Sequence, residues 1–209
     1  CEAHHDIAIL PNGNFLAICS EVRSQEEAIN AGLQDIQGPF ELDMVVEIQP
    51  IGRSEADIVW EWRLWDHLAQ NIGPQYSSTY GELSDHPELL DINVTGSGDQ
   101  NGLSDWNHCN KISYNHNFDQ IVLSSRFMNE IYVIDHSTTT EEAAGHTGGN
   151  QGMGGDFIYR WGNPQNYGRG DASDQILDAQ HGIYWIPEGY PGEGNFLVYN
   201  NRNQTNYSC

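Results

Sequence analysis

Hydrophobic and polar residues alternate in three segments of the chain that share one plan. Each segment begins with a histidine, continues as an alternating strand, passes through a turn and returns as a second strand. The segments are "HDIAILPNGNFLAICSE" (5–21), "HCNKISYNHNFDQIVLSSR" (108–126) and "HGIYWIPEGYPGEGNFLVYNN" (181–201). Their turns are rich in proline, asparagine and glycine, the second running from Asn115 to Asp119. Alternation of period two around such turns predicts three antiparallel hairpins.

Two further strands follow each of the first two hairpins. They are "LDMVVEIQP" (42–50) and "ADIVWEWRL" (56–64), then "NEIYVIDH" (129–136) and "GDFIYRWG" (155–162). Repeated units of four antiparallel strands are typical of the blades of a β-propeller. We therefore predict an all-β fold in which residues 1–209 form a partial β-propeller, with units at about 4–64, 108–162 and 181–209. This is about two and a half blades, fewer than the roughly four to eight of a closed ring, so we expect a fragment of a longer propeller.

The segments between these strands are polar and rich in glycine, with little periodicity. We predict long loops over residues 66–103 and 137–155. A short helix is predicted over residues 24–33, because Ser24 and Glu27 have the spacing of a capping box. Any other helix is expected to be a short piece near residues 66–70 or 86–91.

The composition limits the partners of the protein. The formal net charge is −22, from 30 acidic and 8 basic residues. Nucleic acid and anionic membrane surfaces both attract Lys and Arg, so neither is expected as a partner. No apolar run has the length of a membrane-spanning helix, and no signal peptide is visible. The cysteines at positions 1, 19, 109 and 209 show no metal-ligand spacing and permit one or two disulfides without indicating their pairing.

The three histidines that begin the repeated segments are His5, His108 and His181. In a propeller the first strand of each blade lines the central channel, so equivalent positions in successive blades lie on a ring around the axis. The repeat therefore predicts that these histidines approach one another and share a site. The alternative is that each one caps its own strand by bonding to a neighbouring carbonyl.

Arg126 and Asn110 extend this candidate site. Arg126 ends the strand that returns beside His108, and the aligned positions in the other two segments are Ser20 and Asn201, so the arginine is not a feature of the repeat. Asn110 lies two residues after His108, which places both side chains on one side of a regular strand. The alternative for Arg126 is a surface pairing with one of the many carboxylates.

Three convergent histidines alone would indicate zinc or copper. A guanidinium directed at the same place would repel a cation, but it fits a tetrahedral oxyanion through two parallel hydrogen bonds. The sequence has no P-loop, no aspartate cluster for magnesium and no Gly-x-Ser-x-Gly motif. These residues favour phosphate or sulfate ester chemistry with histidine as the candidate nucleophile and without a metal.

The chain resembles the arylsulfate sulfotransferase family nearly from end to end. The similarity is carried by "HHDIAILPNGN", "HPELLDIN", "DWNHCNKISYN", "DQIVLSSR", "IDHSTTTEEAAGHTGG", "YRWGNPQNYGRG" and "QHGIYWIPEGYPGEGN". The resemblance implies a six-bladed propeller that moves a sulfuryl group between phenols through a transient sulfohistidine. It implies no nucleotide donor, no metal and no other cofactor.

Carried over by motif, the resemblance places the nucleophile at His181 and the sulfate-contacting set at His108, Asn110 and Arg126. A further histidine of the channel falls on His5, with His4 as the second choice for this substrate-binding position. His108 or His5 is the expected acid or base, since a departing phenolate, with a phenol pKa of about 10, takes up a proton.

The expected partners are a phenolic sulfate donor and a phenol acceptor, and the sequence indicates no oligomeric state. The location expected is secreted, periplasmic or extracellular. Two features depart from the family: the chain stops within a blade, so the fragment alone can lack activity, and no cysteine pair brackets His181. Two alternatives stay open, namely a non-catalytic extracellular propeller with a binding or structural role, and a metal site on the three histidines.

Overall fold

The first half of the chain forms a four-stranded antiparallel sheet, which we call sheet 1. The computed structural model describes residues 2–95 and 105–201. Sheet 1 has the strand order of the sequence, β1 (Glu2–Ile9), β2 (Phe15–Arg23), β3 (Phe40–Ile51) and β4 (Glu55–Arg63). The helix α1 (Gln25–Ala31) lies between β2 and β3, and Ser24 and Glu27 form its capping box. The predicted four-strand unit and the predicted capped helix are both confirmed.

A small parallel sheet follows sheet 1, where the sequence predicted a long loop. Its strands are β5 (Leu68–Gln70), β6 (Thr79–Tyr80) and β7 (Leu90–Asp91), with β5 in the centre. Short 3₁₀ helices occupy Leu64–His67 and Leu83–Asp85. The expected helical pieces near residues 66–70 and 86–91 are therefore wrong over residues 68–70 and 90–91, which are strands. Strands of two or three residues are too short to produce a hydrophobic period.

A second four-stranded antiparallel sheet, sheet 2, repeats the plan of sheet 1. Its strands are β8 (Cys109–Asn115), β9 (Gln120–Ser125), β10 (Glu130–Asp135) and β11 (Tyr159–Trp161). The one-turn helix α2 (Thr140–Ala143) lies in the segment predicted as a loop, and Thr139 and Glu142 form its capping box. Two 3₁₀ helices, Pro164–Tyr167 and Ala172–Asp174, lead to the hairpin of β12 (His181–Trp185) and β13 (Phe196–Tyr199).

Sheet 2 is buried on both faces because it lies between sheet 1 and the β12–β13 hairpin. Strand β9 shows the alternation: Ile121 and Leu123 pack in the main core with residues of sheet 1, and Val122 packs on the other face with Ile183 of β12. All six residues of β10 are buried, as expected for a strand covered on both sides. The part of the chain that the structure describes contains no helix long and apolar enough to cross a membrane.

The first strands of the three units lie side by side, in the order β1, β8, β12. Lys111 of β8 connects them: its Nζ is 2.7 Å from Asp6 Oδ2 of β1 and lies 4.8 Å from the ring centre of Tyr184 of β12. Each of the three strands also has an irregularity in its pairing near its start, between Ala3 and Ile7, between Cys109 and Lys111, and between His181 and Tyr184. Such bulges change the direction of side chains at the strand ends, where the candidate residues lie.

A buried ion pair fixes sheet 2 to the chain around it. Glu130 is fully buried and Arg160 is 8% exposed. Arg160 Nε donates to Glu130 Oε1 at 3.0 Å, and its Nη1 donates to the carbonyl of Leu89 at 2.7 Å. Tyr132 and Asn166 donate further hydrogen bonds to the Glu130 carboxylate. A charge buried in this way is stable only while its partner is present.

We predict that Glu130→Ala lowers the free energy of unfolding by about 3–5 kcal/mol, because Arg160 then remains buried without a counter-charge. Urea denaturation followed by circular dichroism measures this loss. Glu26→Ala, at an exposed position of α1, is the control and should change stability by about 0.5 kcal/mol or less. The Glu130→Met/Arg160→Met double variant should recover only part of the loss, because it removes the unpaired charge but leaves Tyr132 and Asn166 without their acceptor. Equal stability of Glu130→Ala and the control would contradict the prediction.

Candidate active site

Strand β8 lies between β1 and β12, and this brings several of the predicted residues together in pairs. Among the described residues, the His181 ring makes no hydrogen bond or ring contact with His5, His108 or Arg126. The rings of His5 and His108 are 4.5 Å apart between centroids in an edge-to-face contact. Asn110 Nδ2 donates to the carbonyl of Gln180, the residue before His181, at 2.8 Å. The structure therefore connects β1 to β8 through two histidines and β8 to β12 through Asn110.

His4 joins His5 to a buried carboxylate. His4 Nε2 is 2.9 Å from Asp43 Oδ1, and His4 Nδ1 is 2.7 Å from His5 Nδ1. Asp43 is 3% exposed, and its Oδ2 accepts from Asn107 Nδ2 at 2.8 Å and from the backbone N–H of Cys109. Both ring nitrogens of His4 are thus occupied within the protein, and this histidine orients His5.

The hydrogen bonds and the pKa shifts define the protonation of this pair. The hydrogen bond to Asp43 raises the pKa of His4 above its ordinary value, against an opposing effect of burial. Burial, followed by repulsion from His108 and His4, lowers the pKa of His5. When His4 is protonated, it donates from both nitrogens, so His5 Nδ1 accepts and His5 presents Nε2–H to a ligand. When His4 is neutral and donates to Asp43, its Nδ1 accepts from His5 Nδ1, and His5 presents the lone pair of Nε2 instead.

His108 lies between a carboxylate and an aromatic ring. Its Nδ1 forms a short hydrogen bond with Asp105 Oδ2, and its ring stacks on Phe127 at 4.6 Å between centroids. Its backbone has a φ of 48°, and His5 has a φ of 56°, both in the left-handed region that side chains other than glycine rarely adopt. Strained backbone of this kind concentrates at functional sites.

Arg126 is a half-buried arginine without a carboxylate partner in the part of the chain that the structure describes. Its backbone N–H donates to the His108 carbonyl at 3.0 Å, and its guanidinium lies 5.0 Å from the ring centre of Phe127. By contrast, Arg23, Arg63 and Arg160 are all paired with glutamates. Among the described residues no carboxylate approaches Arg126 within the 4.0 Å of an ion pair, so the expected alternative of a surface pairing is not observed.

The side chains of His108 and Asn110 do not lie on one side of a regular strand, so that prediction is wrong. Period-two alternation needs a regular strand, but His108 precedes β8 with a positive φ and the pairing shifts between Cys109 and Lys111. Asn110 is 7% exposed and reaches toward β12, while the His108 ring contacts β1. Asn110 Oδ1 has no hydrogen-bond partner among the described residues.

His181 begins β12 and is held by the chain that precedes and follows the hairpin. Its Nδ1 is 3.2 Å from the carbonyl of Ala179 and 2.7 Å from Asn201 Nδ2. If His181 Nδ1 donates to the carbonyl of Ala179, Nε2 carries the lone pair. If Nδ1 accepts from Asn201 Nδ2, Nε2 carries the proton. The fully buried Gln180 anchors the preceding residue through bonds from Nε2 to Ser125 O and Glu130 O, both 2.9 Å.

The sequence predictions missed several residues that support the candidate site. Asp105 lies three residues before His108, and this spacing could have predicted a carboxylate partner for the histidine. Asp43 was a second signal, as an acid within the hydrophobic strand "LDMVVEIQP". The contribution of Phe127 and Gln180 depends on tertiary contacts that no spacing in the sequence indicates.

The metal alternative on the predicted histidines has no support in the described residues. The ligand atoms of His5, His108 and His181 do not lie close enough together to bind one ion. Among the described residues, such a group of ligand atoms is formed by His67, His146 and Asp156.

Cys109 is buried, which raises the pKa of its thiol well above the ordinary value. Cys1 and Cys209 lie outside the described residues.

Comparison with known families gave a match over nearly the whole chain. The family model described as Arylsulfotransferase (ASST) matches residues 1–208. The match covers sheet 1, sheet 2 and the β12–β13 hairpin. The chain belongs to the arylsulfotransferase (ASST) family. A comparison with curated proteins gave no match.

We predict that Asp43→Asn lowers the pKa of His4, because it removes the hydrogen bond that raises it. In the parent protein, NMR titration of the histidine rings should show His4 titrating above the ordinary value of 6.5 and His5 below it. Because the pKa of His4 is higher in the folded chain than in the unfolded chain, protonation of His4 stabilises the fold. This stabilisation is complete below the pKa of the unfolded state and is lost as the pH rises through the pKa of the folded state. Asp6→Asn, a nearby acid that does not contact His4, is the control. An unchanged His4 titration in Asp43→Asn contradicts the assignment.

Proposed function

We propose that the protein transfers a sulfuryl group from a phenolic sulfate ester to a phenol acceptor, with His181 as the nucleophile. Membership of the arylsulfotransferase family supports sulfotransferase chemistry and aryl sulfate substrates. The observation that carries the proposal is Arg126, a half-buried arginine in a protein of charge −22. Its guanidinium has no acidic partner among the described residues and lies against Phe127, and its backbone N–H donates to the His108 carbonyl. Such a group is suited to hold the oxygens of a sulfate ester.

The reaction has two displacements at sulfur. In the first, the lone pair of a His181 ring nitrogen forms an N–S bond while the S–O bond to the aryl group breaks, and the phenolate leaves with the electron pair. In the second, the oxygen of the acceptor phenol attacks sulfur, the N–S bond breaks, and its electron pair returns to the ring of His181. The proton of the acceptor phenol passes to His108, which gave up its own proton in the first displacement. Attack by Nε2 requires the tautomer in which His181 Nδ1 donates to the carbonyl of Ala179, so the amide nitrogen of Asn201, 2.7 Å from Nδ1, must turn away before the reaction.

His5 and His108 serve the charges that develop during transfer. His5 offers Nε2–H as a donor to a sulfuryl oxygen when His4 is protonated against Asp43. His108 is hydrogen-bonded to Asp105, and its role in the proposal is to supply the proton that the departing phenolate needs. Arg126 and Asn110 complete the set that positions the sulfate, since this type of transfer depends on positioning and on neutralised charge.

The proposed architecture is a β-propeller in which sheet 1 and sheet 2 are consecutive blades. Two four-stranded antiparallel sheets, stacked through one hydrophobic core, with their first strands adjacent, are consistent with this arrangement. The site then faces the central channel, and any further blades of a longer protein contribute to the same channel.

We predict that His181→Asn abolishes both turnover and a covalent sulfuryl adduct, because an amide cannot replace the imidazole as nucleophile. Arg126→Ala should slow adduct formation by about 10²–10³, the usual cost of removing one donor to a developing oxyanion. The measurement is intact-mass and peptide mass spectrometry after mixing the protein with an activated aryl sulfate without acceptor, under conditions that preserve the acid-labile N–S bond.

Arg53→Ala is the matched control for Arg126, since Arg53 is an exposed arginine in the turn between β3 and β4. It should form the adduct at the parent rate. An adduct on a residue other than His181, or full activity in His181→Asn, overturns the assignment of the nucleophile. Binding of an aryl sulfate with neither adduct nor turnover identifies a binding module instead.

We also predict that kcat/KM for an anionic aryl sulfate rises modestly with salt. A protein of charge −22 repels the donor at long range, and salt screens this repulsion over a Debye length of about 8–10 Å near physiological ionic strength. The attraction between Arg126 and the bound sulfate acts over a short distance, so salt screens it less than it screens the long-range repulsion. Initial rates measured against sodium chloride concentration test this, with a neutral acceptor held constant. A steep fall in kcat/KM contradicts control by the overall charge.

A further inference from the structure

A second group of histidines shares no residue with the candidate active site. His67 follows β4, and His146 and Asp156 lie in the glycine-rich segment between α2 and β11. Both imidazoles approach the same carboxylate oxygen: His67 Nδ1 is 2.7 Å and His146 Nδ1 is 2.8 Å from Asp156 Oδ1. The three donor atoms all lie within 4.8 Å of one another.

We propose that His67, His146 and Asp156 form a binding site for a divalent transition-metal ion of the zinc type, which ties the segment between α2 and β11 to the end of sheet 1. Two imidazoles and one carboxylate are a usual protein ligand set for zinc, with a fourth position left to water. No residue of the proposed catalytic machinery takes part in it.

The tautomer of His67 supports a metal ligand. His67 is fully buried, and its Nε2 lies 2.8 Å from the carbonyl of Ala143. A carbonyl only accepts, so Nε2 must carry a proton. Nδ1 therefore either holds a second proton against Asp156 or presents its lone pair to a cation. Donation of the distant N–H to a backbone carbonyl is the usual outer-shell contact of a metal-binding histidine.

The surroundings of His67 fix its ring in place. Trp62 stacks on it with centroids 5.5 Å apart and planes within 3°, and Trp62 Nε1 donates to the carbonyl of Gly155 at 2.7 Å. A Cβ at Gly155 would lie 2.6 Å from His67 Nε2 and 2.1 Å from the carbonyl of Ala143, so only glycine allows the segment to pass here. The indole of Trp62 thus covers one face of the His67 ring, and the backbone at Ala143 and Gly155 packs against its Nε2 edge.

The opposite side of the cluster is open to an ion. Asp156 is 5% exposed, whereas the side chain of His146 is 51% exposed. Tetrahedral zinc at the usual ligand distances separates its donor atoms by about 3.4 Å, so the present contacts must widen by about 0.6 Å. The exposed His146 is free to move outward, and rotation of the carboxylate supplies the rest. The ion then replaces the proton between His67 Nδ1 and Asp156 Oδ1, which is released to solvent.

The test is zinc binding to the full chain after treatment with a chelator, followed by isothermal titration calorimetry and by the visible absorption of cobalt(II) as a tetrahedral probe. We expect one zinc ion per chain and an unfolding temperature raised on the order of 5–10 °C when free zinc is about 100 times Kd. His146→Ala and Asp156→Asn should each weaken binding by at least about 100-fold. His146 is exposed, so its variant should keep the parent circular dichroism spectrum without metal.

Two controls separate this cluster from other histidines. His116→Ala removes an exposed histidine from a hairpin turn and should bind zinc as the parent does. His108→Ala removes a histidine of the candidate active site and should also retain the zinc. Absence of zinc binding, or unchanged binding in His146→Ala, overturns the proposal. Loss of binding in His108→Ala with retention in His146→Ala overturns it too, and places the ion at the active-site histidines.

Discussion

The carboxylate of Asp43 is the contact on which the arrangement of the candidate site depends. It lies in the middle of sheet 1, nearly without exposure, yet it receives hydrogen bonds from the start of β8 and from His4 of β1. One buried acid therefore connects the first two units and raises the pKa of His4. A buried carboxylate is costly unless all its acceptors are used, so this position tolerates little movement of either sheet.

The acidity of the protein makes the environment of each arginine informative. Where an arginine stabilises the fold, as Arg160 does with Glu130, its carboxylate partner is close. Arg126 differs, because the aromatic face of Phe127 lies under its guanidinium in place of an acid. This contact holds the side chain near His108 without neutralising its charge. The positive charge then remains available for an anion, in a protein whose overall field would otherwise repel one.

The strands could be predicted from the sequence because alternation and turn residues are local signals. The eight strands of the two four-stranded sheets were all found in this way, whereas β5, β6 and β7 were missed because each has only two or three residues. The helix α2 was also missed, although Thr139 and Glu142 have capping-box spacing, because four residues show no helical period. The repeat of histidines anticipated the contact of His5 with His108. The positive φ at both residues and the contributions of Phe127 and Gln180 could not be anticipated, because they depend on how the units pack.

The contact between His5 and His108 joins two parts of the chain that are far apart in sequence, and this has a consequence for the order of folding. Hairpins such as β1–β2 close short loops and form early, but β1 meets β8 only after all of sheet 1 and the chain before sheet 2 have been made. Strand β1 is the edge strand of sheet 1, and Ile7 and Ile9 remain 53% and 77% exposed even with β8 in place. During synthesis the nascent first sheet thus offers an apolar edge to other chains. The candidate active site is then among the last parts of the molecule to assemble.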